Sequence, residues 1–115
     1  MAKHIRSKSY YGLINKLSKN DDRIPELKEQ YKERGFDDTE IWSLYNSIAE
    51  YTLPRLKRFR EIHGDHPSSL TKEDWNKTLD KMIKAFELIL EEKSFEKDVE
   101  EGLGLFEIYF FDLWC

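Results

Sequence analysis

Apolar residues recur along the chain at intervals of three and four, and this period predicts helices throughout. The cleanest run is Trp75, Leu79, Met82, Ile83, Phe86, Ile89 and Leu90, one face of a single long helix. Thr71 stands at its N-cap position with Asp74 three residues on, and Leu70 with Trp75 makes a hydrophobic staple. A second run, Ile41, Leu44, Tyr45, Ile48, Thr52, Leu56, Phe59 and Ile62, keeps the same period across Pro54. Proline removes one backbone bond, so this stretch predicts one helix kinked there, opened at Asp37 by a capping box with Glu40. Before it, Pro25 and Glu26 suit a first helical turn, and Gly35 suits the position just past the end. Tyr31 and Phe36 would then be the apolar pair of a Schellman motif. Further upstream, Tyr10, Leu13, Ile14 and Leu17 predict a short helix from about Ser9, ended by Asn20-Asp21-Asp22. The last helix is expected from about Lys97, with Val99, Leu103, Phe106, Phe110 and Leu113 facing inward. Leu105, Ile108, Tyr109, Phe111 and Trp114 make it apolar nearly all round, so it either sits centrally in the core or exposes an adhesive side. Gly102 and Gly104 weaken its start and permit close packing.

No alternating strand pattern and no internal repeat interrupts this series. The expected fold is all-α: a compact single-domain bundle of about four to five helices. Residues 1–22 would form a basic lead-in with a short helix, and residues 23–115 the bundle. Composition agrees. A chain of 115 residues is one domain's worth, and five Gly with three Pro are too few for a turn-rich β-protein. Aromatic residues at 14% argue against disorder.

Charge adds a feature that periodicity does not show. The net charge is −4, unevenly spread. Residues 1–19 carry Lys3, Arg6, Lys8, Lys16 and Lys19 and no acid, a net +5. Residues 20–53 are net −5, residues 54–63 net +3, and residues 64–115 net −7. An acidic protein with two basic islands suits a basic partner surface better than free nucleic acid. The one cysteine, Cys115, allows no intrachain disulfide and fits a reducing compartment. The N-terminus has no apolar run resembling a signal peptide, and no stretch approaches a membrane span.

Three blocks then stand out together: Ile41 to Ala49 running into Leu53-Pro54-Arg55-Leu56-Lys57-Arg58-Phe59; Leu70 to Trp75 with Leu79 to Phe86; and Glu101 to Phe106 with Tyr109-Phe110 and Leu113-Trp114. Over roughly residues 35–114 they resemble a family of small uncharacterised proteins of tailed bacteriophages and phage-rich metagenomes. The resemblance implies a phage protein acting in the bacterial cytoplasm. It implies no catalytic residues.

Candidate sites are few. Arg55, Lys57, Arg58 and Arg60 form a dense basic cluster suited to phosphate or acidic protein, since Arg presents a rigid donor fork. The plain alternative is a solvated helix face bonded to acids of the next helix. Lys8, Tyr10 and Tyr11 would extend the patch, or stack on single-stranded RNA; otherwise they belong to a solubilising tail. His63 and His66 flanking Asp65 are the one metal-like group, but zinc wants three or four ligands, and a polar interhelical turn explains them as well. The acids Glu91, Glu92, Glu96, Asp98, Glu100 and Glu101 either mimic a nucleic-acid backbone or form a solvated linker. There is no phosphate loop, no nucleophile with its base, and no need for a cofactor.

The reading favoured is a non-enzymatic phage accessory protein that inhibits or modulates a bacterial host or defence protein, an anti-CRISPR-like antagonist of an effector nuclease in its sharpest form. Binding of RNA or single-stranded nucleic acid is the alternative, and a small metal-dependent enzyme the third. No membrane is expected as partner, and oligomeric state stays open.

Overall fold

The computed structural model describes residues 11–115, apart from the side chain of Asn15. The fold is all-α. Among the described residues five helices follow in order: α1 (Ile24–Arg34), α2 (Thr39–Trp42), α3 (Leu44–Ile62), α4 (Lys72–Leu90) and α5 (Lys97–Ile108). Short 3-10 turns at Ile14–Lys16 and Phe110–Asp112 flank them. The chain groups into two compact units, one up to Glu50 and one from Tyr51 onward, with the residues of α3 shared between them.

In the first unit, the helix expected from Ser9 is reduced, among the described residues, to the 3-10 turn Ile14–Lys16. Gly12 is the reason. Its φ of +75° is left-handed, and a Cβ there would stand 2.6 Å from the Glu40 Cα and 2.8 Å from the Thr39 carbonyl oxygen. Ile14 is fully buried, and its N–H donates to Thr39 Oγ1 at 3.1 Å. Asp21, expected to stop a helix, instead supports the start of α1: its carboxylate accepts the Arg23 N–H at 3.0 Å. The Arg23 guanidinium also bonds that carboxyl and holds it down to about 2. Gly35 closes α1 with φ +82°, donating to the Tyr31 carbonyl at 2.7 Å. That single bond is the αL form of the cap rather than the Schellman form expected. Phe36 therefore stays partly exposed, with the Arg34 guanidinium 4.5 Å over its ring.

The capping box at Asp37 forms. Its carboxylate accepts from the Thr39 N–H at 2.7 Å, and Glu40 reaches back to the Asp37 N–H at 2.8 Å. The helix it starts breaks at Ser43 (φ −130°, ψ 67°), and α3 then runs unbroken through Pro54. The phase of this stretch also differs from the expected one. Ile41, Leu44, Tyr45 and Ile48 are each about half-exposed or more, while Ser47 and Ala49 are buried. Ser47 donates its hydroxyl to the Glu40 carbonyl at 2.8 Å, which ties the first turn of α3 back to α2.

In the second unit, α4 behaves as its stripe predicts. Thr71 caps it, accepting the Asp74 N–H at 3.0 Å. Trp75 is 1% exposed and packs edge-on to Phe59 and Tyr109, with centroids 6.5 and 5.5 Å away. Leu79, Met82, Ala85, Phe86, Leu88 and Ile89 complete the core, joined by Leu56 from α3. Helix α4 ends in a Schellman motif that no glycine announces: Lys93 N–H donates to Leu88 and Glu92 N–H to Ile89, with Glu92 itself at φ +62°. Helix α5 packs on α4 through Val99, Gly102 and Phe106. Leu103 and Phe110, expected to face inward, are partly exposed. The close approach at Gly102 fixes the phase of α5 and leaves them off the contact line.

Candidate functional site

The basic cluster of α3 is present and engaged within its own unit. Arg60 grips Asp80 with two nitrogens, Nε at 2.5 Å and Nη2 at 3.2 Å, and this pairing raises the affinity of the guanidinium for its proton. Lys57 Nζ lies 3.6 Å from Glu87, and Arg58 3.1 Å from Glu61. Arg55 sits 3.8 Å over the Tyr51 ring and donates to the Tyr51 carbonyl at 2.8 Å. The acids of α4 thus bind Lys57 and Arg60. All four side chains keep substantial exposure, and exposed pairs contribute only ~0–1 kcal/mol each, so a partner's anion can compete for them. Lys8 and Tyr10 lie outside the described residues. Tyr11 is half-buried beside Gly12 and belongs to the first unit, whereas the arginines belong to the second.

The two histidines do separate work. His63 is buried: Nε2 lies 2.6 Å from Asn76 Oδ1, Nδ1 lies 3.1 Å from the Asp65 carbonyl, and the ring stacks on Phe59 at 5.8 Å. His66 is exposed, its Nδ1 3.0 Å from the Pro67 carbonyl. His63 is a fastener of the turn after α3. Among the described residues no group of three or more His, Cys, Asp or Glu gathers to hold a metal. The acidic run 91–101 is exposed except at Val99, with Glu91 and Glu101 each 3.5 Å from a lysine, Lys93 and Lys81. A groove of about 250 Å³ on the α4–α5 side, lined by Asp80, Lys81, Lys84, Asp98 and Glu101, mixes both signs of charge.

A different surface carries the strongest signal. Phe86, buried in α4, meets Phe106 edge-on at 5.2 Å; Phe106 meets Phe110 at 5.4 Å; and Phe110 meets Phe111 at 5.5 Å. This row of rings leads from the core to solvent. At its outer end Phe111 is 90% exposed, with Ile108 at 68% and Trp114 at 67%. Trp114 also lines a small hollow with Asp65, His66, Pro67 and Asp112. Ile108, Phe110, Phe111 and Trp114 are each half-exposed or more, a concentration of large apolar side chains in water within one short segment that points to a binding surface. Phe106 and Phe110 are each held between two rings of the row, whereas Phe111 meets Phe110 alone. Of the two outcomes that the all-round apolar pattern of α5 allows, the structure takes the exposed one.

No protein-family model, curated protein or solved structure matches this chain. No helix among the described residues is long and apolar enough to cross a membrane.

Proposed function

We propose that the chain is a non-enzymatic binding protein whose docking surface is the aromatic C-terminal end, and that it acts as a phage accessory factor inhibiting or modulating a bacterial protein. The observation that carries the binding role is the Phe106–Phe110–Phe111 row that ends in solvent, with Ile108 and Trp114 exposed in the same C-terminal segment. Water exposure of such residues is unfavourable by about 25 cal/mol per Å², and a partner relieves it. Trp is among the residues most enriched at the energetic centres of interfaces, as aromatic residues are in interfaces generally. The phage context rests on the resemblance of residues 35–114, and the sharpest form, antagonism of a defence nuclease in the host cytoplasm, on analogy with how phages use small acidic proteins. The basic cluster of α3 takes a secondary place, as exposed cations of the same unit that attract an acidic partner surface.

Affinity capture from phage-infected bacterial lysate tests this reading, with the parent chain and a Phe111→Asp, Trp114→Ala variant as paired baits. The expected result is a host protein retained by the parent and lost from the variant at equal fold content. Retention of RNA alone, released by salt and insensitive to the variant, would favour the nucleic-acid alternative instead.

A further inference from the structure

The turn after α3 and the turn after α5 meet at a small hollow of about 40 Å³, lined by Asp65, His66, Pro67, Asp112 and Trp114. Both turns are tied to the core of the second unit. Asp65 is held through its carbonyl, 3.1 Å from Nδ1 of the buried His63, whose Nε2 is anchored on Asn76 of α4. Asp112 is held through its N–H, which donates to the Tyr109 carbonyl at 2.9 Å, and the Tyr109 ring packs on Trp75. The two backbones are fixed, but their carboxylates are not engaged. Among the described residues neither the exposed Asp65 nor the half-buried Asp112 forms an ion pair or a side-chain hydrogen bond. His66 contributes a further acceptor. Its Nδ1 lies 3.0 Å from the Pro67 carbonyl, a bond that only an Nδ1–H can make, so Nε2 of the neutral ring is left to accept. Trp114, 67% exposed, adds an indole, and no lysine or arginine lines the hollow.

We propose that this hollow receives the ammonium group of a lysine side chain on the partner protein. Carboxylates without a counter-charge attract a cation, and tryptophan is the aromatic side chain that attracts one best. Carboxylates and imidazole alone would suit a metal ion, but among the described residues no three such groups gather to hold one. Size then selects among organic cations. A water molecule takes about 30 Å³ in the liquid, so a hollow of about 40 Å³ fits a compact ammonium rather than a planar guanidinium. The inference deepens the docking reading of the C-terminal end and rests on it. Trp114 belongs to both surfaces, so a partner covering Phe111 and Ile108 sets a lysine beside its apolar contact.

The test is a nuclear magnetic resonance titration of the full chain with Nα-acetyl-lysine methylamide at millimolar concentrations. Saturable shifts are expected at the Trp114 indole N–H and at the Asp65 and Asp112 amides, with affinity falling as salt rises. The same compound acetylated on its side-chain nitrogen is neutral and should bind at least about tenfold more weakly, and the arginine analogue should also bind more weakly. Asp65→Asn with Asp112→Asn should weaken the lysine compound by about tenfold and flatten its salt dependence, and Trp114→Leu should weaken it by about threefold or more, each at unchanged helix content. Phe111→Ser lies outside the hollow and should leave the titration as it is. The proposal is overturned if the shifts do not saturate, if the neutral compound or the arginine analogue binds as well, or if neither the double Asn variant nor Trp114→Leu has an effect. Capture from lysate reads the docking surface separately. A lysine site with no captured protein refutes the docking reading, and a captured protein with no lysine site refutes this inference alone.

Discussion

Two glycines of α5, two residues apart, should respond to the same substitution with opposite sign. At Gly102 a Cβ would stand 2.4 Å from the Ala85 Cβ and 2.4 Å from the Lys81 carbonyl oxygen. Both obstacles belong to α4, and one is backbone, so no flexible side chain can move aside. Helix α5 would have to lift off, weakening the Phe86–Phe106 and Trp75–Tyr109 contacts that the approach sustains. Overpacking of this kind costs about 1–3 kcal/mol and sometimes more, against a gain of about 1 kcal/mol from replacing a mid-helix glycine by alanine. The 2.4 Å approach to backbone puts the cost at the upper end of that range, so the expected net effect of Gly102→Ala is destabilisation by about 2 kcal/mol. At Gly104 nothing lies within 4 Å of the added Cβ, so only the helix-propensity term acts. Gly104→Ala should stabilise by about 0.5–1 kcal/mol. Thermal and urea unfolding followed by far-UV circular dichroism would read both variants. At about 4 °C per kcal/mol for a chain of this size, the two melting points should separate by several degrees on either side of the parent. A Gly102→Ala protein as stable as the parent, or two variants shifting in the same direction, would refute the α4–α5 packing described.

Further outcomes follow from single contacts. Trp75→Ala should cost about 3–5 kcal/mol in urea unfolding, since it empties the most enclosed aromatic site of the second unit; a loss under 1 kcal/mol would remove the staple-and-core assignment. Glu92→Gly should raise the unfolding midpoint by the equivalent of up to about 1 kcal/mol, because only glycine takes its left-handed conformation without strain; a lowered midpoint would contradict the Schellman geometry. Burial pushes Glu40 above its ordinary value of 4.5, and the charges of Asp37 and Glu50 push the same way. The folded chain therefore holds that proton to higher pH than the unfolded chain, so this contribution to stability, full below about 4.5, is lost as pH rises through the folded value. Glu40→Gln keeps the acceptor for the Asp37 N–H and should flatten the fall in stability from acid to neutral pH; parent and variant profiles of equal slope would refute it.

The parts of the fold legible in the sequence were those with local causes. Thr71, Asp74 and Trp75 announce α4 because caps and staples act within one turn, and its stripe is long enough to fix a phase. The α2–α3 stretch misleads for the opposite reason. Its large apolar residues define a clean helical face, but the buried positions are Ser47 and Ala49, and Ser47 is tied there by its hydroxyl on the Glu40 carbonyl. Size and hydrophobicity alone mark a face without saying what covers it. Gly12 and Glu92 show a related limit: their left-handed conformations answer to the Glu40 backbone and to the end of α4, not to their immediate neighbours. The candidate site was legible in part. The all-round apolar pattern of α5 posed the question, whereas the basic residues of α3 drew attention through charge density and proved to be held by Asp80, Glu87, Glu61 and Tyr51.

The central claim is that the aromatic end of the second unit is a protein-docking surface, and calorimetry with a captured partner tests it most directly. Titrations at several temperatures should give a negative heat-capacity change, the mark of apolar burial, and Phe111→Asp with Trp114→Ala should weaken binding by about a hundredfold or more at unchanged fold. Affinity unchanged in that variant, with binding abolished instead by reversing Arg55, Arg58 and Arg60 to Glu, would contradict the account and return the partner surface to the basic face of α3.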